Sequence, residues 1–268
     1  MSNNSPIGFL DSGVGGLTVV KEAMKQLPNE TVYYVGDTLR CPYGPRPVEQ
    51  IKQFTWEMTQ YLLKKNVKMI VFACNTATAV ALEDIKKTLR IPVVGVINPG
   101  ARAALKLTNN NKIGVIGTVG TINSGEYVNA IHKKSPKTDV YGVACPKFVP
   151  IVESKEYESV IAESVVNEAL ATFNGKNVDT LVMGCTHYPL LKPLIKKEMG
   201  EHVQLIDSGA EAVSEVSMLL DYYNIAADAI DEEKQHEFFM TGSKKMFEDI
   251  SLDWLNLESI SVNKIMLP

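Results

Sequence analysis

Cys74 and Cys185 each follow a short apolar run, and each is followed by side chains with polar atoms to offer: Asn75 and Thr76 in one place, Thr186 and His187 in the other. A lone buried cysteine usually behaves as a small hydrophobe. Amide, hydroxyl and imidazole groups at the next positions do not suit an apolar core, so both thiols are candidates for chemistry. Two thiols on opposite sides of one small molecule fit the inversion of a stereocentre. One, as thiolate, takes a proton from carbon, and the other, as thiol, returns a proton to the opposite face. At pH about 7 a thiol of pKa ~8.5 is only a few per cent ionised, so preparing the thiolate costs roughly 2 kcal/mol. Asp11 and His187 are the titratable neighbours that could accept a proton or orient the thiols.

Such a pair needs a symmetric scaffold, and the chain is written twice. IGFLDSGVGG from Ile7 is answered by IGVIGTVGTI from Ile113, and VYYVGD from Val32 by VYGVAC from Val140. KKNVKMIVFACNT from Lys64 is answered by GKNVDTLVMGCTH from Gly175, and VVGVINPG from Val93 by VQLIDSG from Val203. Collinear matches at offsets of 106 to 111 describe two copies of one supersecondary unit over the first 207 residues.

Each copy alternates short apolar runs with helical spacing, the pattern of a parallel sheet with helices on its faces. Strands are predicted at Ile7–Leu10, Val32–Gly36, Met69–Ala73 and Val93–Ile97, then at Ile113–Gly117, Val140–Ala144, Thr180–Met183 and Val203–Ile206. Val48, Ile51, Phe54, Met58, Tyr61 and Leu62 recur at helical spacing after Pro47. A tail follows with no second copy: a helix from about Ala210 to Tyr223, a polar Asp/Glu link, a strand EFFMT, a helix from Ser243 and an alternating strand at Ser259–Ile265. The fold class is therefore α/β, with two pseudo-symmetric, doubly wound domains, mostly parallel sheets and a cleft between them. The tail is expected back on the first domain, which gives residues 1–97 with 208–268 as one unit and 98–207 as the other.

Ligands of open parallel sheets bind beyond the carboxyl ends of the strands. Those places hold Asp11-Ser12-Gly13, Cys41-Pro42-Tyr43-Gly44 and Cys74-Asn75-Thr76 in the first copy. In the second they hold Thr118 with Thr121, Cys145, and Cys185-Thr186-His187. The glycines of DSGVGG permit either a tight turn or an anion nest. Asp11 beside them suits an ammonium or proton-transfer partner better than a phosphate, and no phosphate-binding GxxxxGK[ST] loop is present. Cys41 and Cys145 read as spectator thiols near a pocket, and His132, His202 and His236 as solvated side chains.

Composition excludes other classes. The 27 basic and 31 acidic residues are intermixed at a net charge of -4, which leaves no phosphate-backbone footprint and argues against nucleic acid. The longest mostly apolar stretch, Met69 to Leu82, falls short of the ~20 residues of a membrane span, and MSNNSPIGFLDSG has no basic region typical of a secretory signal. The cytoplasm is the expected location. Four cysteines at 41, 74, 145 and 185 form no C-x-x-C pair, and Cys185-x-His187 has no matching second pair, so no metal is expected.

DSGVGG (Asp11 to Gly16), CPYG (Cys41 to Gly44), ACNTA (Ala73 to Ala77) and GCTHYP (Gly184 to Pro189) together resemble the cofactor-independent aspartate/glutamate racemases, in particular those acting on glutamate, over nearly the whole chain. The resemblance implies interconversion of L- and D-glutamate without pyridoxal phosphate or metal, with D-glutamate passing into peptidoglycan precursors. It implies that Cys74 acts on the D-isomer's proton with help from Asp11, and Cys185 on the L-isomer's with help from His187. Substrate contacts would come from Asp11, Ser12, Tyr43, Gly44, Asn75, Thr76, Thr186 and His187, with Thr118 and Thr121 as additions. Glu153 also stands where the family has a site residue. A homodimer is the expected oligomer, from the resemblance and from the commonness of twofold pairs. The alternatives are a sister racemase or isomerase acting on aspartate, a hydantoin or maleate, a thiol hydrolase built on Cys185 and His187, and a non-catalytic small-acid sensor.

Overall fold

A computed structural model describes residues 3–228 and 235–268, so the polar link expected after residue 223 lies in part outside the described residues. The first copy runs β1 (Ile7–Asp11), α1 (Leu17–Gln26), β2 (Val32–Gly36), α2 (Val48–Lys64), β3 (Met69–Phe72), α3 (Asn75–Thr88) and β4 (Val93–Gly95). After α4 (Ile97–Leu107) the second copy runs β5 (Lys112–Gly117), α5 (Val119–Asn123), α6 (Glu126–His132), β6 (Asp139–Ala144), α7 (Phe148–Glu153), α8 (Val160–Leu170), β7 (Thr180–Gly184), α9 (Lys192–Met199) and β8 (Gln204–Asp207). The tail contributes α10 (Ser208–Tyr222), β9 (Glu237–Met240), α11 (Lys244–Leu255) and β10 (Val262–Lys264).

The two copies build the same object. One sheet has the order β10-β9-β2-β1-β3-β4 and the other β6-β5-β7-β8, so first, second, third and fourth strands of each copy occupy equivalent places. Every pairing is parallel. Strands β1, β3 and β7 are buried along their whole length, as sheets covered on both faces require, and their sequences are accordingly near-continuous apolar runs. The tail strands β9 and β10 extend the first sheet beyond β2. Helix α10 packs against both α1 and α4 and ties the halves together.

Boundaries differ from expectation where capping decides them. The strand expected over Val93–Ile97 ends at Gly95, because Ile97 opens α4 with Pro99 in its first turn, where a missing N–H costs no hydrogen bond. Helix α10 starts two residues earlier than expected, because the Asp207 carboxylate accepts from the N–H groups of Gly209 and Ala210 at 2.9 and 3.1 Å. Of the strand expected over Ser259–Ile265, only Val262–Lys264 is a regular strand.

One buried ion pair secures the end of the scaffold remote from the strands' carboxyl ends. The Lys68 ammonium, just before β3, forms an ion pair with Glu30 at 2.6 Å and donates to the carbonyls of Asn3 and Ile225 at 2.5 and 2.8 Å. Glu30 in turn accepts from Ala227 N–H at 2.8 Å. Four remote segments are thus joined around a side-chain pair that is 1% and 5% exposed. Replacing Lys68 by Ala would strand a buried carboxylate, so K68A is expected to lower the unfolding free energy by about 3–5 kcal/mol. A urea midpoint equal to that of the unaltered protein would rule this out.

Candidate active site

The carboxyl ends of the two sheets face each other across a narrow cavity of about 30 Å3, room for little more than a water molecule. From the first half it is lined by Ser12 after β1, by Cys41 to Gly44 after β2, and by Cys74, Asn75 and Thr76 after β3. The second half supplies Thr118 after β5, and Cys185, Thr186 and His187 after β7. Cys41, Pro42, Gly44, Thr118 and Val149 also border a larger, mostly apolar cavity of about 480 Å3 that reaches Glu153 and Ile250. Among the described residues no cluster of His, Cys, Asp and Glu is arranged to hold a metal ion.

Cys74 is the N-cap of α3. Its sulfur accepts from Ala77 N–H at 3.4 Å, and its thiol lies 3.7 Å from Ser12 Oγ. Burial pushes the thiol up to about 11, with Asp11 adding to the rise, while the Ala77 N–H and Ser12 pull the other way. A helix N-terminus is a place where a thiolate is favoured. Asp11 closes β1, fully buried. Its carboxylate accepts from Gly13 N–H at 2.9 Å and from the Thr186 hydroxyl at 3.4 Å. Burial pushes this carboxyl up, against the pull of His187 and of the Gly13 and Gly16 N–H groups.

Cys185 has different support. Only a four-residue 3-10 turn, Tyr188–Leu191, follows it, so no long helix begins at its sulfur. His187 takes that place: Nδ1 lies 3.8 Å from Cys185 Sγ, and Nε2 lies 2.9 Å from Glu153 Oε1. Burial pushes the Cys185 thiol well up, and the His187 backbone N–H pulls it down. The glycine-rich turn resolves as a close-approach device. A Cβ on Gly15 would come within 2.5 Å of His187 Nδ1 and Cε1, nearer still to the Thr186 hydroxyl. Thr18, at the start of α1, donates to Thr186 O at 2.8 Å, so the first half seats the catalytic candidates of the second.

The remaining expected residues gather here with more constrained roles. Thr76, Thr118 and Thr121 form a triangle of hydroxyls 2.9 to 3.2 Å apart that crosses between the halves. Asn75 accepts from Tyr127 OH at 2.7 Å and donates to Ser208 at 3.4 Å. Tyr43 reaches the cavity wall, but its hydroxyl is turned away, donating to the buried Asp37. Asp37 also binds Arg40 and Thr241, and this network shapes the Cys41–Gly44 loop.

Cys41 lines the same cavity as Cys74 and Cys185, its thiol pushed up by burial and by Glu153 and Asp11. Cys145 borders the larger cavity, pushed up to about 12 by burial. His132 and His236, expected to be solvated, instead meet backbone groups, Thr138 O and Val32 N–H, at 2.9 and 3.0 Å. Trp254 of α11, at right angles to the His187 ring, was not foreseen, because the tail has no counterpart in the repeat with which to compare it.

A family model described as Asp/Glu/Hydantoin racemase matches residues 15–216. A glutamate racemase of Enterococcus faecalis is 62% identical over 100% of this chain and 98% of its own. The crystal structure of a glutamate racemase isoform from Bacillus anthracis superposes with a TM-score of 0.96 at 47% identity, covering 99% of each chain. That of a glutamate racemase from Francisella tularensis, solved with D-glutamate, superposes at 0.91 with 36% identity over 98% of each.

A buried thiol raised to about 11 holds little thiolate at neutral pH, so its alkylation rate should climb as pH rises towards that value. Carbamidomethylation of Cys74, followed by mass spectrometry, is expected at pH about 7 to be about a hundredfold slower than that of an unperturbed thiol. A rate that levels off below pH ~9 would contradict the assignment.

Proposed function

The chain belongs to the Asp/Glu/hydantoin racemase family, and we propose that it interconverts L- and D-glutamate by proton transfer at the α-carbon between two thiols. The observation that carries the reading is the presence of Cys74 and Cys185 in one cavity wall, each brought there by the equivalent strand of its own half.

In the proposed step from L to D, Cys185 as thiolate takes the α-proton and becomes a thiol, while the Cys74 thiol delivers its proton to the opposite face and becomes a thiolate. The reverse step exchanges the roles. Each turnover leaves the two thiols in swapped protonation states, so a proton must cross back before the same isomer can react again. Asp11 stands behind Cys74 and His187 behind Cys185 as groups that could carry it. The substrate ammonium, seated near Asp11, would offset the desolvation that keeps both thiols protonated in the free protein. Hydroxyls of Ser12, Thr76, Thr118, Thr121 and Thr186, the Asn75 amide, and backbone N–H groups at Tyr43 and Gly44 would bind the two carboxylates without a cationic side chain.

The space between the thiols is too small for glutamate, so admission requires the shared wall of Cys41, Pro42, Gly44, Thr118 and Val149 to give towards the larger cavity. No helix among the described residues is long and apolar enough to cross a membrane. On the same reading the enzyme is a cytoplasmic homodimer that supplies D-glutamate for peptidoglycan.

The test is incubation with each glutamate enantiomer in D2O without added cofactor, following optical rotation and deuterium at the α-carbon. Loss of rotation with deuterium uptake from both isomers is expected, with aspartate inert. Cys74→Ser and Cys185→Ser should each cut kcat/KM by about 100- to 10,000-fold. Retained racemisation in Cys74→Ser would overturn the two-thiol step, and absence of exchange with either isomer would overturn the proposal.

A further inference from the structure

We infer that Trp254, on the tail helix α11, is a positioning residue for the proton transfers of Cys185, acting through the orientation of the His187 ring. The inference rests on the two-thiol reading above and adds to it a residue outside the repeated halves. The His187 imidazole must present Nδ1 to the sulfur and Nε2 to Glu153, at 3.8 and 2.9 Å. A half-turn about its Cβ–Cγ bond would put carbons where both nitrogens stand. The Glu153 side chain is 38% exposed, and an ion pair or hydrogen bond to a solvated carboxylate is a loose tether. Gly15 bounds the ring with bare backbone.

A further boundary is the indole of Trp254. Its centroid lies 6.1 Å from that of His187 at 89°, the edge-to-face arrangement that ring electrostatics favour. Trp254 is only 4% exposed, packed in a core that includes Phe247, Ile250 and Leu255, so it forms a firm wall. Its indole N–H is buried without a partner among the described residues. A tryptophan serving only as filler would carry that desolvation cost for no return, since a phenylalanine fills an apolar site without it. The breadth and orientation of the ring against His187 supply a return. The tail thereby contributes to the Cys185 side of the site, the side that lacks a long helix behind its sulfur.

The test separates positioning from general damage. Enantiomers have equal free energies, so kcat/KM must fall equally in the two directions, and only the split of the barrier between the two proton transfers can differ. Trp254→Leu is expected to lower kcat/KM about tenfold. The α-deuterium isotope effect on kcat/KM should then rise with L-glutamate, whose proton Cys185 removes, and fall with D-glutamate, where removal by Cys74 becomes less limiting. Trp254→Phe, which keeps a ring at the site without the breadth of the indole, should fall between the wild type and the leucine variant in rate and in both isotope effects. If the leucine variant does not fold, Trp254→Met, which fills the space without a ring, is read in its place. Wild-type isotope effects in the ringless variant, with or without loss of rate, would overturn the inference while leaving the racemase reading intact. A wild-type protein that does not racemise glutamate would overturn the reading on which it rests.

Discussion

Burying two thiols at the facing edges of two sheets sets the terms for everything around them. On the proposed two-thiol reading, either sulfur must at some moment be a thiolate, and burial opposes that charge at both positions, pushing each thiol up from its ordinary value. A cavity with room for little more than one water molecule leaves little solvent to supply the compensation. It has to come from groups already held in place, and much of the fold serves to hold them. Cys74 is the cap of a fourteen-residue helix with a backbone donor at its sulfur. Cys185 has His187, itself held by Glu153, by the bare Gly15 turn and by Trp254.

This constraint explains why the halves interlock rather than merely touch. The Asp11 carboxylate of the first half binds Thr186 of the second, Thr18 binds the Thr186 carbonyl, and Thr76 meets Thr118 and Thr121. Every one of these contacts lies within a few residues of a strand's carboxyl end, where consecutive elements of a parallel sheet diverge and leave backbone groups free. A charge that develops at either sulfur is therefore surrounded by dipoles from both halves, and their orientation costs nothing further at the moment of reaction.

What could be read from the sequence follows from what repeats. Strand positions, the doubled order and the placement of Cys74 and Cys185 were legible because apolar runs and polar turns recur at a nearly constant offset. The residues matched to family motifs gather around one cavity for the same reason. Features that depend on contact between remote segments left no such trace. Gly15 reads as a turn glycine until the His187 ring is seen against it, and Tyr43 offers a hydroxyl that Asp37 has already taken. Trp254 belongs to the unrepeated tail, so no internal comparison could single it out. Cys41 and Cys145 stand at matched positions after the second strands, yet Cys41 lines the cavity that holds Cys74 and Cys185 while Cys145 borders the neighbouring one.

The unlike surroundings of the two thiols bear on the chemistry in a limited way. For a reaction between mirror-image molecules the equilibrium constant is one, whatever stands behind each base. A helix N-terminus behind Cys74 and an imidazole–carboxylate pair behind Cys185 thus cannot favour one isomer over the other at equilibrium. They can only decide which proton transfer is the higher barrier and in which protonation state the free enzyme rests. A duplicated scaffold supplies two candidate bases at equivalent positions, their settings differ within the halves themselves, and the unrepeated tail adds the Trp254 ring on the Cys185 side. The symmetry of the fold answers the need for a base on each face of the substrate. Its local departures from symmetry set how the barrier is divided between the two proton transfers.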